Sequence, residues 1–159
     1  MGFTLQTFTL FHVLVSLVGI ITGLVVAGGL AGGRRLPGWG AVFLITTVLT
    51  SATGFGFPSD ALLPSHIVGG ISLVVLVVVV AAQIRGLTRI YAVGVVIATY
   101  LNSFVLVVQL FRRIPDLAAL APTQSEPPFA IAQALVLASF ISLGIAANAG
   151  GRSTATNLR

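Results

Sequence analysis

The sequence predicts an all-α integral membrane protein, a five-transmembrane-helix up-and-down bundle with its N-terminus outside and its C-terminus inside. Three observations predict it. Of 159 residues, 57% are hydrophobic and only 7% are charged, whereas a soluble domain carries about 25% charged residues. So few charges leave lipid as the medium the surface must face. Five apolar runs reach the ~20 residues that a helix needs to cross the hydrocarbon. The arginines gather between these runs rather than within them, and their uneven distribution orients the chain.

The spans are expected at about 7–30, 39–57, 65–83, 88–111 and 128–148, in a single membrane domain over 1–159. The first is expected to be a span and not a cleaved signal. No basic segment precedes it, its apolar run is long, and Arg34-Arg35 follows as a stop-transfer pair. The second ends at Pro58. The third opens on Pro64-Ser65-His66, with Ser65 suited to cap the first turn, and runs through Gly69-Gly70 into Leu/Val sequence as far as Ala82. The fifth is entered through Pro127-Pro128, where missing N–H groups cost nothing. The one long connector is Ile114 to Pro127. Its Asp116-Leu117-Ala118-Ala119-Leu120 suits a turn or two of surface helix, and its prolines stiffen the remainder. It reads equally as a plain connector or as a lid carrying Gln124 and Glu126.

Orientation follows from the arginines. One side collects Arg34, Arg35, Arg85, Arg89, Arg152 and Arg159, and the other Arg112 and Arg113. Positive residues stay in the cytoplasm, so six against two places the first group inside. All three acids, Asp60, Asp116 and Glu126, fall on the outer side.

Composition excludes whole classes of chemistry. With no cysteine there is no disulfide, thiolate metal site or thiol redox couple. All eight basic residues are arginine, which removes Schiff-base and lysine-nucleophile chemistry. There is no phosphate-cradling loop with lysine, no HExxH, no GxSxG and no carboxylate within a span, so a non-catalytic protein is expected. A proton-coupled carrier would have only His12 and His66 to titrate near the bilayer, and no inverted repeat is visible. The net charge of +5 sits beside the spans and does not point to nucleic acid. The Arg, Ala, Gly and Val bias without lysine suggests a high-GC bacterial genome, and with it the bacterial inner membrane.

Counting from the inner arginines gives depth. His12 lies 22 residues from Arg34, His66 19 from Arg85, Gln109 20 from Arg89 and Gln133 19 from Arg152. At 1.5 Å per residue all four lie about 28–33 Å from the inner side, at the outer edge of the hydrocarbon. Four helices thus place a strong polar residue in one layer. Thr50, Ser51 and Thr53 of the second span lie slightly deeper, and Asp60, Gln124 and Glu126 lie just outside. An imidazole or amide turned to hydrocarbon forfeits hydrogen bonds. At least three of the four are therefore expected to share one interior space, unless they snorkel to the headgroups.

Helical spacing groups these residues into faces. His12, Ser16, Gly19 and Gly23 share one, and Gly19 and Gly23 form a GxxxG pair suited to close helix packing or, less readily, to a flat cofactor. Thr99, Asn102, Leu106, Gln109 and Arg113 share another. Asn102 falls near mid-membrane, where an amide needs a partner. Thr46, Thr50 and Thr53 line a third, where back-bonding to the preceding turn accounts for the hydroxyls as well as any pathway does.

Three segments resemble parts of uncharacterised bacterial multi-spanning inner-membrane proteins: Thr46 to Phe55, Leu63 to Leu73 and Ala121 to Phe129. That resemblance implies no activity. In size and span number the chain is also similar to the translocator-protein family. That family is tryptophan-rich and this chain has only Trp39, so the similarity is one of architecture.

The expected function is an accessory subunit, or a binder of a small amphiphilic ligand such as a quinone or a lipid-like molecule. Its outward-facing polar site is centred on His66 and built from His12, His66, Gln109, Gln133, Asn102, Thr50, Ser51 and Glu126. One alternative is a b-type haem between His12 and His66 for membrane electron transfer. A zinc or copper site on the two histidines and Glu126 is less favoured, because three elements would have to supply it. Another alternative is a small channel or transporter, with the hydroxyl stripe and Asn102 continuing the polar layer inward. Expected partners are the lipid bilayer and, through the glycine-rich faces, a membrane-protein partner or a second copy in a homo-oligomer.

Overall fold

The computed structural model describes residues 4–57 and 64–156. Asp60, Arg159 and the side chains of Ser65 and Arg152, used above, lie outside the described residues. The chain is all-helical, with 86% helix and no strand among the described residues. Its helices are α1 (Leu5–Ala31), α2 (Pro37–Gly54), α3 (Pro64–Ile84), α4 (Thr88–Arg113), α5 (Pro115–Leu120) and α6 (Pro127–Thr156). Four are long and apolar enough to cross a membrane: Leu5–Ala31, His66–Ile84, Thr88–Arg113 and Pro127–Gly150. The long helix outside that set is α2. Five of its 18 residues carry hydroxyls and three are glycine, which dilutes its hydropathy.

Helix ends follow local chemistry. Thr4 caps α1 by accepting from the Thr7 amide at 3.3 Å. At the other end Gly33 adopts φ 71°, and the Arg34 amide donates to the Gly29 carbonyl at 2.8 Å. Gly86, at φ 68°, closes α3 in the same way, with Leu87 donating to Ala82 at 2.8 Å. Both are Schellman turns, which need a left-handed residue just past the helix. Pro37 opens α2, where its fixed φ suits a first turn. The end of α2 falls at Gly54, three residues short of the Phe57 expected from hydropathy. There Phe55 and Gly56 donate back to Ala52 and Thr53 at 3.2 and 3.0 Å, tightening the last turn before Pro58. The connector expected to hold a turn or two of helix holds α5.

Neighbouring helices close a ring in the order α1, α2, α3, α4, α6, and α1 also packs on α4 across its middle. Most enclosed of the candidate spans is α4, with nine buried residues, whereas α6 buries chiefly Phe140 and Ala147. Large apolar side chains such as Ile21, Ile45, Val77 and Ile145 point outward, as lipid-facing side chains do.

The two halves of the bundle differ. Toward the Arg34 and Arg85 end, Val26, Leu30, Phe43, Leu76, Val79 and Val95 form a filled core. Here α1 and α4 approach so closely that a Cβ on Gly23 would overlap the Thr99 side chain and come within 3.0 Å of the Phe43 ring. In lipid, helices associate by such close packing rather than by hydrophobic transfer. Toward the other end the helices α1 to α4 splay around a hollow.

A polar cavity between the first four helices

The hollow is a cavity of about 310 Å³. Each helix contributes one stripe. From α1 come Thr9, His12, Val13, Ser16 and Leu17; from α4 come Asn102, Val105, Leu106, Gln109 and Arg113. Thr50, Ser51, Gly54 and Phe57 belong to α2 and the segment that follows it, and Val68, Gly69 and Ser72 to α3. These spacings of three and four keep each stripe on one helix face. Arg113 and Thr9 stand at the mouth. The floor is closed by the Gly19 region, where Thr47 Oγ1, Thr46 Oγ1 and Asn102 Nδ2 lie 3.3, 3.4 and 3.5 Å from where a Cβ on Gly19 would be. Below it Gly23, Thr99 and Phe43 fill the bundle. Among the described residues no carboxylate is on the wall.

Hydrogen bonding decides what the wall presents. Helical Ser and Thr spend their single proton on a carbonyl one turn back. Thr9 donates to Leu5 at 2.8 Å and Ser16 to His12 at 2.7 Å. Ser51 donates to the Ser72 hydroxyl at 3.1 Å. His12 Nδ1 lies 2.8 Å from Thr53 Oγ1, and the Phe57 ring meets the imidazole edge-on at 5.1 Å. Thr50 Oγ1 and Asn102 Nδ2 are both buried without a hydrogen-bond partner. These are costly positions, since an unmade buried bond forfeits about 1–3 kcal/mol.

Of the four residues counted to one depth, two share the cavity: His12 and Gln109. The expected three do not converge. His66 is buried, 8% exposed, and stacks on the Phe55 ring at 5.5 Å and 17°, to the side of the cavity wall. His12 and His66 thus grip the end of α2 separately, one through Thr53 and Phe57, the other through Phe55. Gln133 sits on α6, against the opposite flank of α4, and donates to the Phe104 carbonyl at 3.2 Å. Asn102, Thr50 and Ser51 line the cavity.

Glu126 is elsewhere. Its carboxylate accepts from the Thr123 amide at 3.1 Å, the Thr123 hydroxyl at 2.8 Å and the Ser125 amide at 3.1 Å. Desolvation raises its pKa, but these hydrogen bonds, from the Thr123 hydroxyl and neighbouring amides, outweigh it and hold the carboxyl below its ordinary value. Gln124, at φ 59°, donates to the Val108 carbonyl at 3.0 Å. The connector is therefore tied to α4 on its α6 side and contributes no residue to the cavity wall. Among the described residues no three His, Cys, Asp or Glu side chains gather closely enough to hold a metal.

Sequence reasoning passed over Thr9, Phe57 and Ser72, and placed Thr53 near the polar layer without pairing it to His12. Ser72 had a signal: it is the lone polar side chain between His66 and Gln83. A second groove of about 450 Å³ runs along α3 and α4 on the filled half. Apart from Arg89 and Asn148 its walls are Val, Ile and Gly, which suits contact with acyl chains. No protein-family model, curated protein or solved structure matches the chain.

Proposed function

We propose that this is a non-catalytic inner-membrane protein of a bacterium, crossing the bilayer five times with its N-terminus outside and its C-terminus inside. Its cavity binds a small amphiphilic ligand, of the quinone or lipid-like class, presented from the outer leaflet. The observation that carries this reading is the cavity itself: apolar walls, polar side chains from four helices, and a closed floor. Binding sites for small molecules are typically 300–1,000 Å³ and mostly apolar with a few placed polar groups. At about 310 Å³ this one suits a single ring or headgroup rather than a two-chain lipid. The six-to-two arginine asymmetry supports the orientation. A reporter fused after Arg159 is then cytoplasmic, and one inserted at Thr123 is outside.

The filled Gly19–Thr47–Asn102 layer favours a site over a pore, because a channel would continue past it. A haem held by both histidines has less support, since only His12 borders the cavity while His66 faces Phe55. An accessory role within a larger complex is compatible with the same cavity.

The test is an equilibrium titration of the detergent-purified protein with decylubiquinone, decylubiquinol and lysophosphatidylglycerol. It is repeated on Leu106→Trp, which fills the cavity from α4. Saturable binding by at least one of them, abolished in Leu106→Trp, is the expected result. Binding by none, or binding unchanged in the filled variant, overturns the reading.

A further inference from the structure

The cavity wall is unequal in what it can exchange with a ligand. Thr53 has one hydroxyl proton, and its oxygen lies 2.6 Å from the Leu49 carbonyl. Two oxygens that close need a proton between them. Thr53 therefore donates to Leu49, and its contact with His12 at 2.8 Å must be made by an Nδ1–H on the imidazole. In its neutral form His12 then has a lone pair on Nε2, and among the described residues nothing donates to it.

Three of the wall hydroxyls are committed in the same way. The hydroxyl protons of Thr9, Ser16 and Ser51 are spent within the protein, leaving lone pairs. Asn102 buries Nδ2 against Gly19. Its Oδ1 is neither hydrogen-bonded nor sealed in, and so is open to the cavity. The Ser72 hydroxyl and the Gln109 amide keep donor protons on this wall, and Thr50 Oγ1 is sealed in without a partner, but His12 Nε2 and Asn102 Oδ1 can only accept. Arg113 at the mouth disfavours a cation, and among the described residues no acid lines the wall.

We infer that the ligand is a neutral hydroxyl donor, of the diphenol (quinol) class, one hydroxyl donating to His12 Nε2 and the other to Asn102 Oδ1. The inference rests on the binding reading above and names which form of the ligand the site takes. Size agrees. Seven residues separate His12 from Gly19, the level of Asn102, or about 10 Å of helix. Two hydrogen bonds of about 2.8 Å each with one six-membered ring between them cover that distance. At His12 Nε2 and Asn102 Oδ1 a quinone would set an acceptor against an acceptor, so in this position the oxidised form is the poorer fit.

The experiment compares decylubiquinol, kept reduced under anaerobic conditions, with decylubiquinone, with the di-O-methyl ether of the quinol, and with lysophosphatidylglycerol. All four are titrated into the full-length purified protein. The quinol is expected to bind at least tenfold tighter than the quinone, about the worth of one net hydrogen bond, and the ether no better than the quinone. His12→Ala is expected to shrink that ratio. The ether provides the same test without any change to the protein. If the quinone or the ether binds as tightly as the quinol, the donor inference fails while the binding reading stands. The same holds if only lysophosphatidylglycerol binds. If none binds, the binding reading itself fails, and this inference with it.

Discussion

His12 Nδ1 donates to the Thr53 hydroxyl, 2.8 Å away, because Thr53 has already committed its own proton to Leu49 at 2.6 Å. This pair joins α1 to the end of α2 and sets the tautomer of the one imidazole on the cavity wall. The first prediction follows. Nitrogen-15 spectra of histidine-labelled protein show the neutral Nδ1–H tautomer for His12, assigned by its loss in His12→Ala. Protonation converts Nε2 from acceptor to donor, so quinol affinity falls as the pH drops through the imidazole titration. Among the described residues Arg113, on α4, is the other basic group on this wall. An Nε2–H tautomer, or affinity independent of pH, contradicts the assignment.

Thr47 tests the floor. It is fully buried, at 0% exposure, and its Oγ1 has no hydrogen-bond partner. Thr47→Val keeps the shape and removes the unsatisfied hydroxyl. Replacement of such a group is neutral or stabilising, by up to about 1–3 kcal/mol. Thermal unfolding in detergent is expected to show a melting temperature unchanged or raised. A clear fall means that the hydroxyl has a partner, such as a bound water.

Gly23 tests the closed half. A side chain there meets Thr99 and Phe43, both at 0% exposure with no room to yield. Gly23→Leu is expected to destabilise by at least the ~1–3 kcal/mol typical of overpacking, seen as a lower melting temperature and reduced yield. An unperturbed melt would show that α1 and α4 are not in this contact.

Much of this arrangement is legible in the sequence, and what is not has a common cause. Counting residues from the inner arginines gives height along a helix. It says nothing about direction around it. On α4 both were available, because Asn102, Leu106, Gln109 and Arg113 recur at helical spacing, and all four line the cavity. On α3 the cavity stripe is Val68, Gly69 and Ser72. His66 is six residues from Ser72, about 120° around the helix, and turns to Phe55. Gln133 has the right height but belongs to α6, which packs on the far flank of α4. The early end of α2 was hidden because Phe55 and Phe57 continue the apolar run after the helix has closed.

Glu126 offers a pH-dependent test of the connector. Its carboxyl titrates below the ordinary value of 4.5 because the native turn hydrogen-bonds the ionised form. A depressed native pKa contributes stability that is present above the unfolded-state value and lost as pH falls through the native one. Hydrogen exchange at the Thr123 and Ser125 amides is therefore expected to be protected at neutral pH. That protection disappears only at a pH below the ordinary carboxylate range. Glu126→Gln should lose it at every pH while leaving ligand binding intact, since Glu126 is not on the cavity wall. Weakened binding in that variant would bring the connector back as a lid.

The central claim is that the cavity between α1 and α4 holds a small molecule in the membrane. Native mass spectrometry tests it most directly. Wild-type protein and Leu106→Trp are purified side by side from the same membranes and released from detergent. The account predicts one adduct of small-molecule mass on the wild type, missing from Leu106→Trp at equal thermal stability. Identical spectra for the two proteins, with no adduct or with the adduct kept in the filled variant, would contradict it.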